Sequence, residues 1–447
     1  MNWNLDQLKA ELKSQKKLTN WMIIQENIHR RERYFLMDGK KVGLDQDREV
    51  NSQNVEVKLM VDLGKPGRQG EITKKLFQGE ALKPQIENAL LAAQETDHQS
   101  WSLPKEMADR IPEVKSCDPK MLEDLNGTMN QISNEILDTA LTFPATQFNS
   151  SELFMSVHLR ELHLSNGLTH RSQQSRMYVE AAYSFAKDGK SDEYLHTAWT
   201  VSPGDISVKE IFNEASSRAH HSLDVQKPVT GKYSVIVDAD VLALLFTGYV
   251  DHLKSKSEYL QLPFKKIGED FVEGAEGDLI TLTLDPTLEY GAVTSGLSEM
   301  GTIEKPIVLV DKNKVVAHAI DQQHGEYLGK KPTTHKGNVV LAPGRLSHDQ
   351  LIQAAPQVLE ILQFSGLFFS PHSGTFSSEI RLARLFDHKS GKTTYIKGGS
   401  LSGSINENFR NAKFSQETAK KAQFDYQMSG GYFGPKYALL SQVSVVG

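Results

Sequence analysis

The residues best placed to do chemistry lie on a strand that runs into a helix, KYSVIVDAD at 232–240 followed by VLALLFTGYVDHLKS at 241–255. The β-branched run Val235, Ile236 and Val237 predicts a buried strand, and the apolar stretch from about Val241 predicts a helix over Val241–Ser257. On that helix His252 could bind a metal or move a proton, whereas Thr247 and Gly248 offer little to either task. Zinc-assisted hydrolysis needs about three protein ligands, one open position for water and a carboxylate base. The single cysteine, Cys117, leaves no internal disulfide and no thiolate cluster. His158 and His163, five residues apart in VHLRELHLS, fall on opposite faces of a strand. His220 and His221 close a helix, where the dipole favours an imidazole. His318, His324 and His335 are spread over strand and loop without an acidic partner pattern. All of these read as surface or packing histidines. Ser373, Ser377 and Ser400 have no GxSxG elbow or paired histidine to activate them. Thr247 reads as a packing residue or one bonded to the carbonyl four residues back.

The elements that must position these groups are mixed. Trp21–Ile28, Arg33–Met37 and Val55–Val61 read as strands, and Ala81–Glu95 as a helix with Leu82, Ile86, Ala89, Leu90 and Ala93 on one face. Ser100 to Lys120 lacks a period and reads as a surface excursion, after which Leu122–Leu141 is helical. Glu152–Leu164, Ser175–Ala186 and Glu193–Val201, punctuated by SNG and KDGK, predict a meander. Ser207–Ser222 is helical with Asp205 as its cap. The polar linker QKPVTG at 226–231 divides the chain into domains 1–228 and 229–447. The second is rich in strands: Tyr233–Asp238, Leu279–Leu284, Pro306–Asp311, Lys314–Ile320, Asn338–Leu341, Ser378–Phe386, Thr393–Lys397 and Tyr437–Val446. Further helices are expected at His348–Phe364 and Ser415–Ala422. The fold class is therefore α+β, with an N-terminal mixed α/β domain and a C-terminal mostly β domain wrapped around the Val241–Ser257 helix.

Length and composition narrow the function. At 447 residues two domains are expected. A net charge of −6 gives no electrostatic reason for nucleic-acid binding. The leading segment MNWNLDQLKAELKSQKKL has leucines at helical spacing and no apolar h-region, so it reads as an amphipathic helix and the chain as cytoplasmic. The longest apolar run, Val241 to Val250, is too short for a membrane span.

Seven phrases in the second half, in order and at comparable separations, resemble the TldD/PmbA family of metallopeptidase-like proteins. They are GKYSVIVDAD at 231–240, LPFKKIGEDF at 262–271, LTLDPTLEYG at 282–291, NVVLAPGRLS at 338–347, SPHSGTFSSE at 370–379, GGSLSGSI at 398–405 and LLSQVSVVG at 439–447. The resemblance covers nearly the whole second half and is looser in the first. In the family's peptidase branch the helix carries His-Glu-x-x-x-His, and a Gly-Gly-x-Cys-Gly turn supplies a third ligand. Two histidines five residues apart on an ideal helix point roughly 140° apart, so that helix must distort for them to converge.

Laid over those motifs, Thr247 stands at the first histidine, Gly248 at the base, His252 at the second histidine and Phe433 at the cysteine. The resemblance thus implies a branch without the zinc motif, PmbA-like or TldE-like, binding no cofactor itself. Zinc is expected in a TldD-like partner, and the assembly cleaves peptides. It also implies that the turn bearing Gly374, Phe376 and Ser377 borders the substrate cleft. One alternative is a stand-alone homodimer that binds peptides without catalysis. Another is an active peptidase with a divergent site built on His252. Members of the family have been labelled modulators of DNA gyrase, but the charge gives no support for direct DNA contact.

Overall fold

The computed structural model describes residues 3–104, 111–424 and 429–447. In the first half, β1 (Leu18–Asp38), β2 (Lys41–Asp62), β3 (Arg68–Leu76), β4 (His98–Gln99), β5 (Gln147–Leu164), β6 (Thr169–Lys187) and β7 (Lys190–Thr200) form one sheet in the order β4-β3-β2-β1-β5-β6-β7. The two short strands expected before residue 38 are a single strand, paired along its length with β2 and β5. The meander is present. Its KDGK turn places Asp188 at φ 52° and Gly189 at φ 72°, the double left-handed geometry of a two-residue hairpin.

Helices α1 (Leu5–Ser14), α2 (Leu82–Gln94), α3 (Pro119–Glu123), α4 (Leu125–Thr139) and α5 (Val208–His221) accompany this sheet. Leu8 and Leu12 of α1 join Ile86 and Ala89 of α2 against Ile23, Val57 and Leu59. Met129, Ile132 and Phe212 from α4 and α5 pack on Met155, Val179 and Tyr183. The α5 cap is Ser207, whose hydroxyl accepts from the Glu210 amide at 3.2 Å; Asp205, expected in that role, lies in a 3₁₀ turn before it. The Ser100–Lys120 excursion is more than surface, because Trp101 and Leu103 are buried against Met22, Met60 and Leu162 on the sheet face away from the helices. Its residues 105–110 lie outside the described residues.

Two further sheets follow. Their strands are β8 (Val225–Gln226), β9 (Gly231–Asp238), β10 (Leu282–Asp285), β11 (Ile307–Asp311), β12 (Lys314–Val315), β13 (Asn338–Leu341), β14 (Gln357–Phe364) and β15 (Phe368–Ser370). They continue with β16 (Thr375–Asp387), β17 (Lys392–Ile396), β18 (Ser400–Ser404), β19 (Lys413–Phe414), β20 (Thr418–Phe424), β21 (Ser429–Pro435) and β22 (Tyr437–Val446). One sheet runs β12-β11-β10-β13-β21-β20. In the other, β14 pairs with both β9 and β16, which closes the ring β14-β9-β22-β18-β16. Closure leaves those strands without a free edge along the ring. Helix α6 (Ala239–Tyr249) packs against both sheets, with Leu242, Leu245 and Phe246 fully buried.

Two expected helices are corrected. His348–Phe364 is helical only over His348–Ile352, where Ser347 and Gln350 make a capping box; Gln357–Phe364 is β14. Pro356 separates them, since proline disfavours the helical region at the preceding residue and offers no N–H of its own. Ser415–Ala422 is not helical either. Thr418–Phe424 is β20, and its pairing with β21 overrides the helical preference of Ala and Lys.

Inside β14, Glu360 is buried and sits directly opposite Arg384 of β16. The guanidinium donates to Glu360 Oε2 at 3.0 and 2.6 Å, and His348 Nε2 donates to Oε1 at 2.7 Å. Burial by itself raises the carboxyl, but the His348 bond and the Arg384 charge outweigh it and hold it below its ordinary value. A depressed folded pKa contributes stability above the unfolded value of about 4.3, and that stability is lost as pH falls through the folded one. Glu360→Gln should therefore cost about 1–3 kcal/mol at neutral pH and flatten the acid limb of stability, read by urea melts at several pH values. An unchanged acid limb contradicts this.

Candidate functional site

Helix α6 starts because Asp238 ends β9 extended and accepts from the Asp240 and Val241 amides at 3.1 and 3.2 Å. Its C-terminal part brings the expected site residues together. The Thr247 hydroxyl donates to the Ala243 carbonyl at 2.6 Å, the back-bond read from the sequence. After Tyr249 the helix tightens into a 3₁₀ turn, Val250–Leu253, which carries His252. The continuous helix expected over Val241–Ser257 is thus interrupted here, and a separate short helix, Ser255–Tyr259, follows. His252 is buried, and its Nε2–H donates to the Pro371 carbonyl at 2.7 Å. That bond places the proton on Nε2. Burial lowers the His252 pKa against the opposing pull of Pro371.

Gly248 has a neighbour that the sequence did not reveal. A Cβ there would lie 2.7 Å from the Phe369 ring and 3.5 Å from Pro371. The signal available was the glycine itself, since one inside an apolar helix points to a close approach. Gly374, at φ 66°, backs onto the ring of Tyr249, where a Cβ would lie 3.0 Å away. Gly374 thus joins the 370–374 turn to α6. Phe376 and Ser377 follow in β16, one buried and the other exposed, and both line a groove of 570 Å³ with Phe368, Ser402 and Glu407.

The structure does not bring Phe433 to this cluster. β21 meets α6 at Gly430, where a Cβ would lie 3.2 Å from the Thr247 methyl. Phe433 is three residues further along a regular strand, opposite Lys420 and Val340, so it stands on the other face. The donor set is a back-bonded hydroxyl, a glycine and one imidazole whose Nε2–H is committed to a carbonyl. These residues do not fit a catalytic zinc ion. Among the described residues there is no group of three or more His, Cys, Asp or Glu that could hold a metal.

Several of the other histidines have specific partners. His158 bridges Ser156 at 3.1 Å and Glu26 at 3.1 Å, and His163 contacts Thr169 at 3.0 Å. His324 and His335 have acidic partners that no sequence pattern disclosed, Asp321 at 2.8 Å and Glu304 at 2.8 Å.

A helix-backed antiparallel sheet followed by two sheets packed on a capped helix is a fold shared with solved structures over nearly the whole chain. A protein from Bacteroides thetaiotaomicron described as a modulator of DNA gyrase matches with a TM-score of 0.78 at 16% identity, covering 99% of this chain and 97% of its own. One from Thermotoga maritima with the same description matches at 0.75 and 17%, covering 99% of both. TldE from Thermococcus kodakarensis matches at 0.77 and 15%, also covering 99% of both. Identities this low establish the fold alone. In sequence, residues 230–447 match the model of the PmbA/TldA metallopeptidase C-terminal domain. That match places a PmbA/TldD-family C-terminal domain over the second half of the chain. No curated protein matches it.

Proposed function

We propose that this chain is the non-metal-binding, TldE-like subunit of a two-component peptidase, and that a TldD-like partner supplies the zinc. The observation that carries this reading is the state of the three helix positions where the peptidase branch places its ligands and base. Thr247 is bonded to its own helix, the space beside Gly248 is filled by Phe369, and His252 holds Pro371. The chain then shapes the peptide compartment, with Gly374, Phe376 and Ser377 on the side that meets peptide. Residues 1–228 and 229–447 act as its two domains. Among the described residues, no helix is long and apolar enough to cross a membrane.

Co-expressed with a TldD-like chain from the same source, the protein should co-migrate with it on size exclusion. Only the pair should then hydrolyse unfolded peptides in a chelator-sensitive way. Robust zinc-dependent hydrolysis by the purified chain alone sinks the proposal. A stable homodimer that ignores the TldD-like chain favours peptide capture without catalysis.

A further inference from the structure

The first turns of α6 border a cavity of 390 Å³ between the two halves of the chain. That volume lies within the range of about 300–1,000 Å³ usual for small-ligand sites, which favour such junctions. β7 and α5 give it His196, Trp199 and Arg218; α6 gives Leu244; β14 and β20 give Gln363, Phe364 and Gln423. A shift in the pairing of β14 falls at Gln363, and such bulges re-aim side chains.

The polar groups here satisfy one another only in part. Arg218 Nε, Gln363 Oε1 and Gln423 Oε1 are buried and have no hydrogen-bond partner among the described residues. Most buried polar atoms are paired, so three from separate segments lining one cavity mark a place that accommodates a further partner. Charge decides its sign. Lys421 is held by Asp240 at 2.8 Å and Lys420 by Asp205 at 3.0 Å. Asp238 caps α6. Arg218 is different: its side chain is 11% exposed, and its only ion pair among the described residues is a loose 3.7 Å contact with a half-exposed Glu214. Its Nη1 donates to His196 Nδ1 at 3.1 Å, which leaves the His196 proton on Nε2 as a second donor. Burial and the Arg218 charge hold the His196 pKa down to about 3, so that ring is neutral. Asp238 and Asp240 act on Arg218 through space, but neither bonds it. Its buried Nε–H thus lacks an acceptor beside the apolar surfaces of Trp199, Leu244 and Phe364, and a guanidinium suits a carboxylate through paired N–H bonds.

We propose that this cavity binds a small carboxylate with an apolar body, its carboxylate on Arg218 and its body against Trp199, Leu244 and Phe364. The C-terminus of a hydrophobic peptide and a medium-chain aliphatic acid share that chemistry. The inference goes beyond the subunit reading and requires neither the partner nor zinc.

The test is titration calorimetry of the full chain with N-acetyl-leucyl-leucine, its C-terminal amide and octanoate. The amide should bind at least about tenfold more weakly than the free acid, as expected for loss of a charge-assisted contact. Arg218→Met should weaken the acid by about the same factor and leave the amide unaffected. Ala422→Phe, which fills the cavity from β20, should abolish binding of both; a thermal melt confirms that each variant is folded. Binding of the dipeptide without octanoate assigns the site to peptide C-termini, and the reverse assigns it to aliphatic acids. Equal affinity for acid and amide, or no binding of either acid, overturns the proposal. The acid–amide comparison stands even if Arg218→Met does not fold. Failure of co-migration with a TldD-like chain leaves this result untouched, so the two readings fail separately.

Discussion

Gly248→Glu should destabilise the chain by about 3 kcal/mol or more, and it should not confer hydrolysis. Two opposing effects set the sign. Replacing a helix-interior glycine gains about 1 kcal/mol of helix propensity. Against that, a Cβ at 248 would meet the Phe369 ring at 2.7 and 3.1 Å, and overpacking of this kind costs about 1–3 kcal/mol. The rest of a glutamate would then press its carboxylate towards Phe369 and Pro371, where burial without a partner costs more. Gly248→Ala isolates the Cβ contribution and should be net destabilising despite its better propensity. In a Phe369→Ala background the same change should become neutral or favourable, with a coupling energy of about 0.5–3 kcal/mol. Denaturant midpoints of the four proteins measure it. A stabilising Gly248→Ala in the parent chain would falsify the claim that Phe369 fills this space.

The second large effect is expected at Phe246, on the buried side of the same helix. Phe246→Ala should cost about 3–5 kcal/mol, the range for removing a fully buried phenyl ring. Its relative exposure is 0%, and its ring meets Phe409 edge-on at 5.4 Å and stacks on Phe271 at 6.4 Å. It thereby joins α6 to segments on both sides of the C-terminal core. Few small shifts could refill the space, because the rings around it are held by their own neighbours. Calorimetric melts also report on the domain division. If the halves melt separately, Phe246→Ala moves only the C-terminal transition. Leu382 of β16 is buried among residues of the N-terminal core, which argues for partial coupling of the two. A loss below about 1 kcal/mol rules out a close-packed Phe246.

Much of this architecture was legible in local order. The spacing of Leu82, Ile86 and Ala89 marked α2, and the SNG and KDGK turns marked the β5-β6-β7 meander. The run Val235–Val237 before Val241 marked the passage from β9 into α6. The seven family phrases identified the C-terminal half. These features depend on residues within a few positions of one another, where side-chain periodicity and turn preferences act directly. Other features did not survive folding as read. β20 looked helical because alanine and lysine favour helix, until β21 offered its pairing edge. β14 became a strand once Pro356 ended the preceding helix and β9 and β16 closed on it. Only the assembled chain decided that Phe369 occupies the space beside Gly248, that Phe433 faces away from Thr247, and that Arg218 lines a cavity with its Nε–H unpaired. Each of these depends on segments far apart in sequence, and their distances are set by packing and strand register, which no local pattern encodes.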